Sequence, residues 1–120
     1  MLNLDTHILL YALDGALTRK ERELLKKNEW GISAIVLWEL EKLYQLKRIK
    51  IDIGSSKFKE ILRNLHVWSV DLDVCLCLRQ LDFKNDPADE IIAATSVVHK
   101  IPLLTRDRVI LASKVVPLAM

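Results

Sequence analysis

The sequence predicts an α/β protein with a parallel sheet and helices on both faces. Apolar runs of three to five residues alternate with longer stretches of helical periodicity. Acidic residues follow two of those runs directly, at Asp5 and Asp107. No Pro/Gly-rich linker, low-complexity tract or internal repeat interrupts the 120 residues, so one domain over 1–120 is expected.

The elements follow in order. Leu2-Asn3-Leu4 is a strand ending at Asp5. Thr6 to Leu13 has helical spacing, and Asp14-Gly15 stops it. Thr18 is placed to cap a second helix to about Asn28, with Leu24 and Leu25 inward and its many charges on a solvated face. Gly31-Ile32-Ser33 is a brief strand, with Ser33 as N-cap of a helix from Ala34 to about Lys47. Ser56 to His66 reads as an amphipathic helix and Val67 to Val70 as a strand. Asp71 or Asp73 opens a helix through Leu81. Asp86-Pro87 opens another to about His99, with Pro at the first helical position. Ile101 to Leu104 is a strand, Arg108 to Ser113 a short helix, and Val115 to Leu118 a last strand.

Composition sets limits. The chain is 51% hydrophobic and 28% charged, which suits a globular core. A net charge of +2 permits an RNA partner without requiring one. Cys75 and Cys77 alternate in an apolar run without a second Cys or His pair, so both read as reduced core residues of a cytosolic protein. The first residues lack the basic and apolar regions of a signal peptide. No run reaches the ~18 apolar residues of a membrane span. A soluble, cytoplasmic protein is expected.

Acids fall where this architecture places sites. In open parallel sheets, ligands bind beyond the carboxyl ends of the strands. Asp5 and Asp107 should emerge at that edge, each beside a threonine, Thr6 and Thr105. Asp86 and Asp89 lie three apart on one face of a helix start. Glu39 falls within the apolar stripe of Val36, Leu40, Leu43 and Lys47, where a carboxylate is costly unless paired or bound to a metal. From the helix alone, a metal ligand and an edge residue paired to a lysine are equally open. Asp5, Asp86 and Asp107 each also have a plain role as helix caps, and Asp86 is expected to cap. Asp89 at the third helical position suits the helix dipole. Caps do not explain Glu39. Gathered acids repel, and a divalent cation relieves that conflict; carboxylates with water suit Mg²⁺ or Mn²⁺. The chemistry that follows is metal-assisted phosphodiester hydrolysis.

Four segments carry a family likeness: Leu4-Asp5-Thr6-His7, Ile32-Ser33-Ala34 through Trp38-Glu39-Leu40, Asp86-Pro87-Ala88-Asp89 with Ile91-Ile92-Ala93-Ala94-Thr95, and Leu103-Leu104-Thr105-Arg106-Asp107. Together they resemble the PIN-domain ribonucleases, in particular the VapC-type toxins of toxin–antitoxin pairs. The resemblance implies a three-layer α/β/α fold with four to five short strands. It implies an Mg²⁺- or Mn²⁺-dependent endoribonuclease, leaving a 3′-hydroxyl and a 5′-phosphate, and a co-expressed antitoxin that blocks it. It also implies a homodimer. Asp5, Glu39, Asp89 and Asp107 match the four acidic, metal-holding positions. Asp86 matches an auxiliary acid, and Thr6, Ser33 and Thr105 match hydroxyl positions. The chain departs from the family at Glu90, where an Arg is frequent.

Lys47, Arg48, Lys50, Arg106 and Arg108 are candidates for RNA phosphate contacts, against the plainer role of surface solubility. Tyr11, Leu9, Leu10 and Leu13 are candidates for an apolar groove taking an antitoxin helix or a second subunit. Trp30 and Trp38 are expected to pack a core or a partner surface, and His7, His66 and His99 offer no metal spacing. Competing readings are an RNA-processing PIN nuclease and a non-catalytic RNA- or protein-binding module. A flavodoxin-like phosphoacceptor is disfavoured because Leu103 to Asp107 lacks the Lys it needs.

Overall fold

The computed structural model describes residues 1–120. Four strands form one sheet: β1 (Leu2–Leu4), β2 (Trp30–Ser33), β3 (His66–Trp68) and β4 (Leu103–Leu104). Their spatial order is β3-β2-β1-β4, and every pairing is parallel. Seven helices flank the sheet: α1 (Thr6–Asp14), α2 (Arg19–Lys27), α3 (Ala34–Gln45), α4 (Ser56–Leu62), α5 (Leu72–Cys77), α6 (Pro87–His99) and α7 (Arg108–Leu111). A 3-10 turn, Leu78–Gln80, follows α5.

All three residues of the central strand β1 are buried, as expected of a strand covered on both faces. Its neighbours are fixed by register, with Asn3 opposite both Gly31 and Leu103. Leu2, Leu4, Ile32, Leu103 and Leu104 form the sheet's share of the core, against helix residues that include Ile8, Val36, Leu40 and Ile92. Asn3 lies wholly inside, donating through its amide to the Ile92 carbonyl at 3.1 Å and the Ser96 hydroxyl at 2.9 Å. That pins α6 across the sheet.

Several boundaries differ from those the sequence pattern predicts, each for a local reason. Helix α4 stops at Leu62, and β3 starts at His66, because the chain turns at Arg63 and Asn64 onto the carbonyls of Lys59 and Ile61. Helix α3 stops at Gln45, and Lys47 adopts a left-handed φ of 60° as the chain turns back. The expected last strand shrinks to a single parallel bridge, Leu103 to Leu118, since Pro117 has no N–H to offer a ladder. Leu9 and Leu10 are core residues, not groove walls, while Tyr11 and Leu13 are half-buried. The exposed apolar side chains are elsewhere, led by Trp38, Leu46 and Leu72. Cys75 is exposed, and only Cys77 is buried. No helix is long and apolar enough to cross a membrane.

Gly31 has a steric reason. A Cβ there would lie 2.5 Å from the Trp68 ring. That ring is itself held by His66, edge-on at 4.7 Å, and His99, stacked at 5.8 Å. Gly31→Ala should therefore cost about 1–3 kcal/mol in chemical denaturation, the range for overpacking a filled site. Lys100 closes α6 in the left-handed region, with φ 56°. Lys100→Gly should stabilise the fold by about 0.5–1 kcal/mol in the same measurement, because glycine holds that conformation without strain.

Candidate active site

The carboxyl ends of β1 and β4 are adjacent, so the residues that follow them meet. Asp5 follows β1 and is 4% exposed. One carboxylate oxygen accepts the Thr6 N–H at 2.8 Å, and the other accepts the Thr105 hydroxyl at 2.6 Å. Thr6 turns its own hydroxyl onto Glu39 Oε1 at 2.5 Å. Glu39 is half-buried, and its hydrogen-bond partner is this hydroxyl rather than a lysine. Asp107 caps α7, one oxygen accepting the N–H groups of Val109 and Ile110. Its second oxygen accepts the Asn85 side-chain amide at 3.0 Å.

Helix α6 brings Asp89 to the same edge. Burial and the charges of Asp5, Glu39, Asp107 and Asp86 push its carboxyl up to about 7. Asp5 and Glu39 are also raised, first by burial, with their threonine hydrogen bonds as the main offset. His7, exposed beside them, offsets both to a smaller degree. Asp5, Glu39, Asp89, Asp107 and Asp86 thus form one electrostatic unit, although they come from well-separated parts of the chain.

Asp86 does not cap α6 through its side chain. Pro87 offers no N–H at the first helical position. Glu90 instead reaches back to the Asn85 N–H at 2.8 Å, and the Asn85 side chain accepts the Asp86 N–H at 2.9 Å. Glu90 therefore fastens the loop that holds Asp107. Ser33 caps α3 by accepting the Ile35 N–H at 3.2 Å, and among the acids it has no hydrogen-bond partner.

Arg106 is not the free phosphate-contacting residue that its sequence position suggests. Its guanidinium makes two bonds to Glu21, at 2.8 and 2.7 Å, and lies 4.0 Å over the Tyr11 ring. It is an internal tie. Glu21, expected on a solvated face, is 3% exposed and also closes a capping box with Thr18. The T-x-x-E spacing signals the box; the partner 85 residues away has no local signal. Lys47, Arg48, Lys50 and Arg108 are exposed.

The acids offer oxygen donors only, which fits Mg²⁺ or Mn²⁺. The charge conflict at Asp89 fits a cation among them. No three acidic, imidazole or thiol groups already close around one point as a finished metal shell.

The PIN domain family model matches residues 3–114. The chain belongs to the PIN-domain family. Solved structures share its fold at low identity. VapBC2 from Rickettsia felis, bound to a DNA fragment from its promoter, is 23% identical over 98% of this chain and 97% of that one, with a TM-score of 0.72. A toxin–antitoxin complex from Klebsiella pneumoniae is 22% identical over 93% and 91%, at 0.69. FitAcB from Neisseria gonorrhoeae is 21% identical over 92% and 90%, at 0.64. Comparison with curated protein sequences yields no match.

The charges of this PIN domain make its stability depend on pH in two opposite ways. Asp89 has a raised pKa, so ionising it costs the fold stability as pH rises from its ordinary value of 3.8 through about 7. In metal-free protein, Asp89→Asn should therefore stabilise the fold above neutral pH by about 1–2 kcal/mol, allowing for solvent screening of a half-buried group, and change little in acid. Thermal melts across pH check this. Glu21 has the opposite sign: Arg106 holds its carboxyl down to about 2 from 4.5. Its contribution is full above 4.5 and is lost as pH falls toward 2. Arg106→Ala should cost about 2–3 kcal/mol at neutral pH by stranding a buried carboxylate. Denaturation followed into acid should show the gap to wild type narrowing across that window.

Proposed function

We propose that this chain is a divalent-metal-dependent endoribonuclease that acts as the toxin of a toxin–antitoxin pair. The observation that carries the nuclease reading is that Asp5, Glu39, Asp89 and Asp107 gather at one sheet edge. There the Thr6 and Thr105 hydroxyls tie Glu39 and Asp5 in place, and burial, with the neighbouring acids, pushes Asp89 to about 7. Membership of the PIN-domain family supports it. Asp5, Glu39 and Asp89 would hold Mg²⁺ or Mn²⁺, directly or through water, and Asp107 would complete the site or order the attacking water. The ion supplies stabilisation of charge on a phosphoryl oxygen and makes water more acidic.

The chain's own residues set the geometry for that chemistry. Thr6 and Thr105 fix the orientation of Asp5, and Thr6 also aims Glu39. Asn85 fixes the outer oxygen of Asp107. Preset ligands of this kind lose little freedom when a cation arrives. Lys47, Arg48, Lys50 and Arg108 are exposed and suit phosphate contacts.

The toxin role rests on fold likeness to VapBC2 of R. felis and to the K. pneumoniae toxin–antitoxin complex. On that basis the chain takes a cognate antitoxin. A homodimer working in the cytoplasm is what the resemblance to VapC-type toxins implies.

Purified protein should cleave a mixed pool of structured RNA in Mn²⁺ or Mg²⁺. EDTA should abolish cleavage, and Asp5→Asn should lower it by roughly 10²-fold or more. Cleavage that survives both EDTA and the substitution would sink the reading.

A further inference from the structure

Charge is unevenly spread over this chain. Helix α2 holds five of the 18 cations and two of the 16 acids, which leaves 13 cations and 14 acids for all other residues. The positive excess of the whole molecule therefore sits on nine residues. Packing sharpens the asymmetry. Glu21 and Leu25 point inward, and the Glu21 charge is met by Arg106 from outside the helix. Arg19, Lys20, Arg22, Lys26 and Lys27 are all exposed. Glu23 is the one acid left among them, and it pairs with Arg19 at 3.5 Å. Lys20, Arg22, Lys26 and Lys27 make no ion pair.

A charged helix face is ordinarily just solvated. This one is anchored to the acid site. Glu21 lies on its buried side and grips Arg106 through two bonds. Arg106 is flanked in the chain by Thr105, which donates to Asp5, and by Asp107. One ion pair thus separates the cationic helix from the turn that carries two of the site's groups. The capping box at Thr18 and the Arg106 bond to the Ala16 carbonyl fix the start of α2 as well.

We propose that the exposed face of α2 binds the sugar–phosphate backbone of RNA and leads it to the acid cluster. The destination rests on the nuclease reading above. A cluster of carboxylates repels a polyanion, so the substrate needs cations beside the cluster to hold it there. Lys20 and Arg22, flanking Glu21 in the first turn of α2, meet that need. Lys26 and Lys27 carry the cationic face on toward the amino end of the sheet, where Asn28 accepts from the Met1 amine. Phosphate contacts of this kind position a strand without reading its sequence. Lys47, Arg48 and Lys50 form a smaller, separate set.

The test is fluorescence anisotropy of a short mixed-sequence RNA oligonucleotide, with Asp5→Asn as background and EDTA present, so nothing is cleaved. The variant combines Lys20→Gln, Arg22→Gln, Lys26→Gln and Lys27→Gln, leaving Thr18, Glu21 and Leu25 intact. Affinity should fall by roughly tenfold or more, and the slope of log K against log salt should flatten by about 0.7 for each phosphate that is no longer neutralised. Lys26→Gln with Lys27→Gln alone, a milder change, should give about half that flattening. The combination Lys47→Gln, Arg48→Gln and Lys50→Gln should weaken binding less. Unchanged affinity and slope in a folded α2 variant would overturn the proposal, and so would a background protein that binds no RNA. Weakened binding to polyglutamate with RNA binding intact would assign the face to an acidic protein and overturn it too. Cleavage by the chain with Asp5 intact judges the nuclease reading separately. If cleavage never occurs while the α2 variant releases RNA, that reading falls and the RNA-binding face stands.

Discussion

Carboxylates that repel one another have to be held together at the edge of a buried sheet, and much of the surrounding structure serves that constraint. Asp5 has almost no solvent to shield it. Two hydroxyls and one backbone N–H compensate locally: Thr105 and the Thr6 N–H on Asp5, and the Thr6 hydroxyl on Glu39. These bonds fix orientation, but they bring no positive charge. The repulsion therefore persists at Asp89, which burial raises first and the other four acids raise further. A protein that keeps such a conflict in its native state gives up stability at that point, a familiar cost of a site prepared for a cation.

The buried carboxylate of the scaffold around the conflict is matched. Where a charge is buried for structural reasons alone, as at Glu21, it has a full partner. Arg106 answers it with two hydrogen bonds, and is itself held by a carbonyl and the face of Tyr11. The contrast between Glu21, held near 2, and Asp89, pushed to about 7, separates a structural carboxylate from a candidate ligand. Burial raises Asp89 first and its acidic neighbours raise it further, whereas at Glu21 the Arg106 hydrogen bonds outweigh the cost of burial.

Legibility in the sequence follows the range of each interaction. Asp5 can be read because a strand run ends immediately before it, Asp107 because one ends at Leu104 just upstream, and Glu39 because it interrupts an apolar stripe. Sheet class and element order can be read from alternation alone. Long-range pairing cannot. Nothing near Glu21 announces Arg106, so by pattern Glu21 is solvated and Arg106 is free. Nothing near Asn85 announces that its amide reaches Asp107. Helix ends go astray where backbone geometry outweighs pattern, as at Lys47 with its positive φ, and the last strand is cut short at Pro117. The run of leucines in α1 fits core and groove equally well by pattern, and Leu9 and Leu10 belong to the core.

The most direct test of the acid cluster as a cation site is a calorimetric titration of Mn²⁺ into the metal-free protein, run beside Asp89→Asn. Saturable binding is expected in the native chain, with a marked drop in affinity in the variant, because the carboxylate carrying the unrelieved repulsion is the one a cation relieves. Absence of binding in the native chain, or equal affinity in both, would contradict that role.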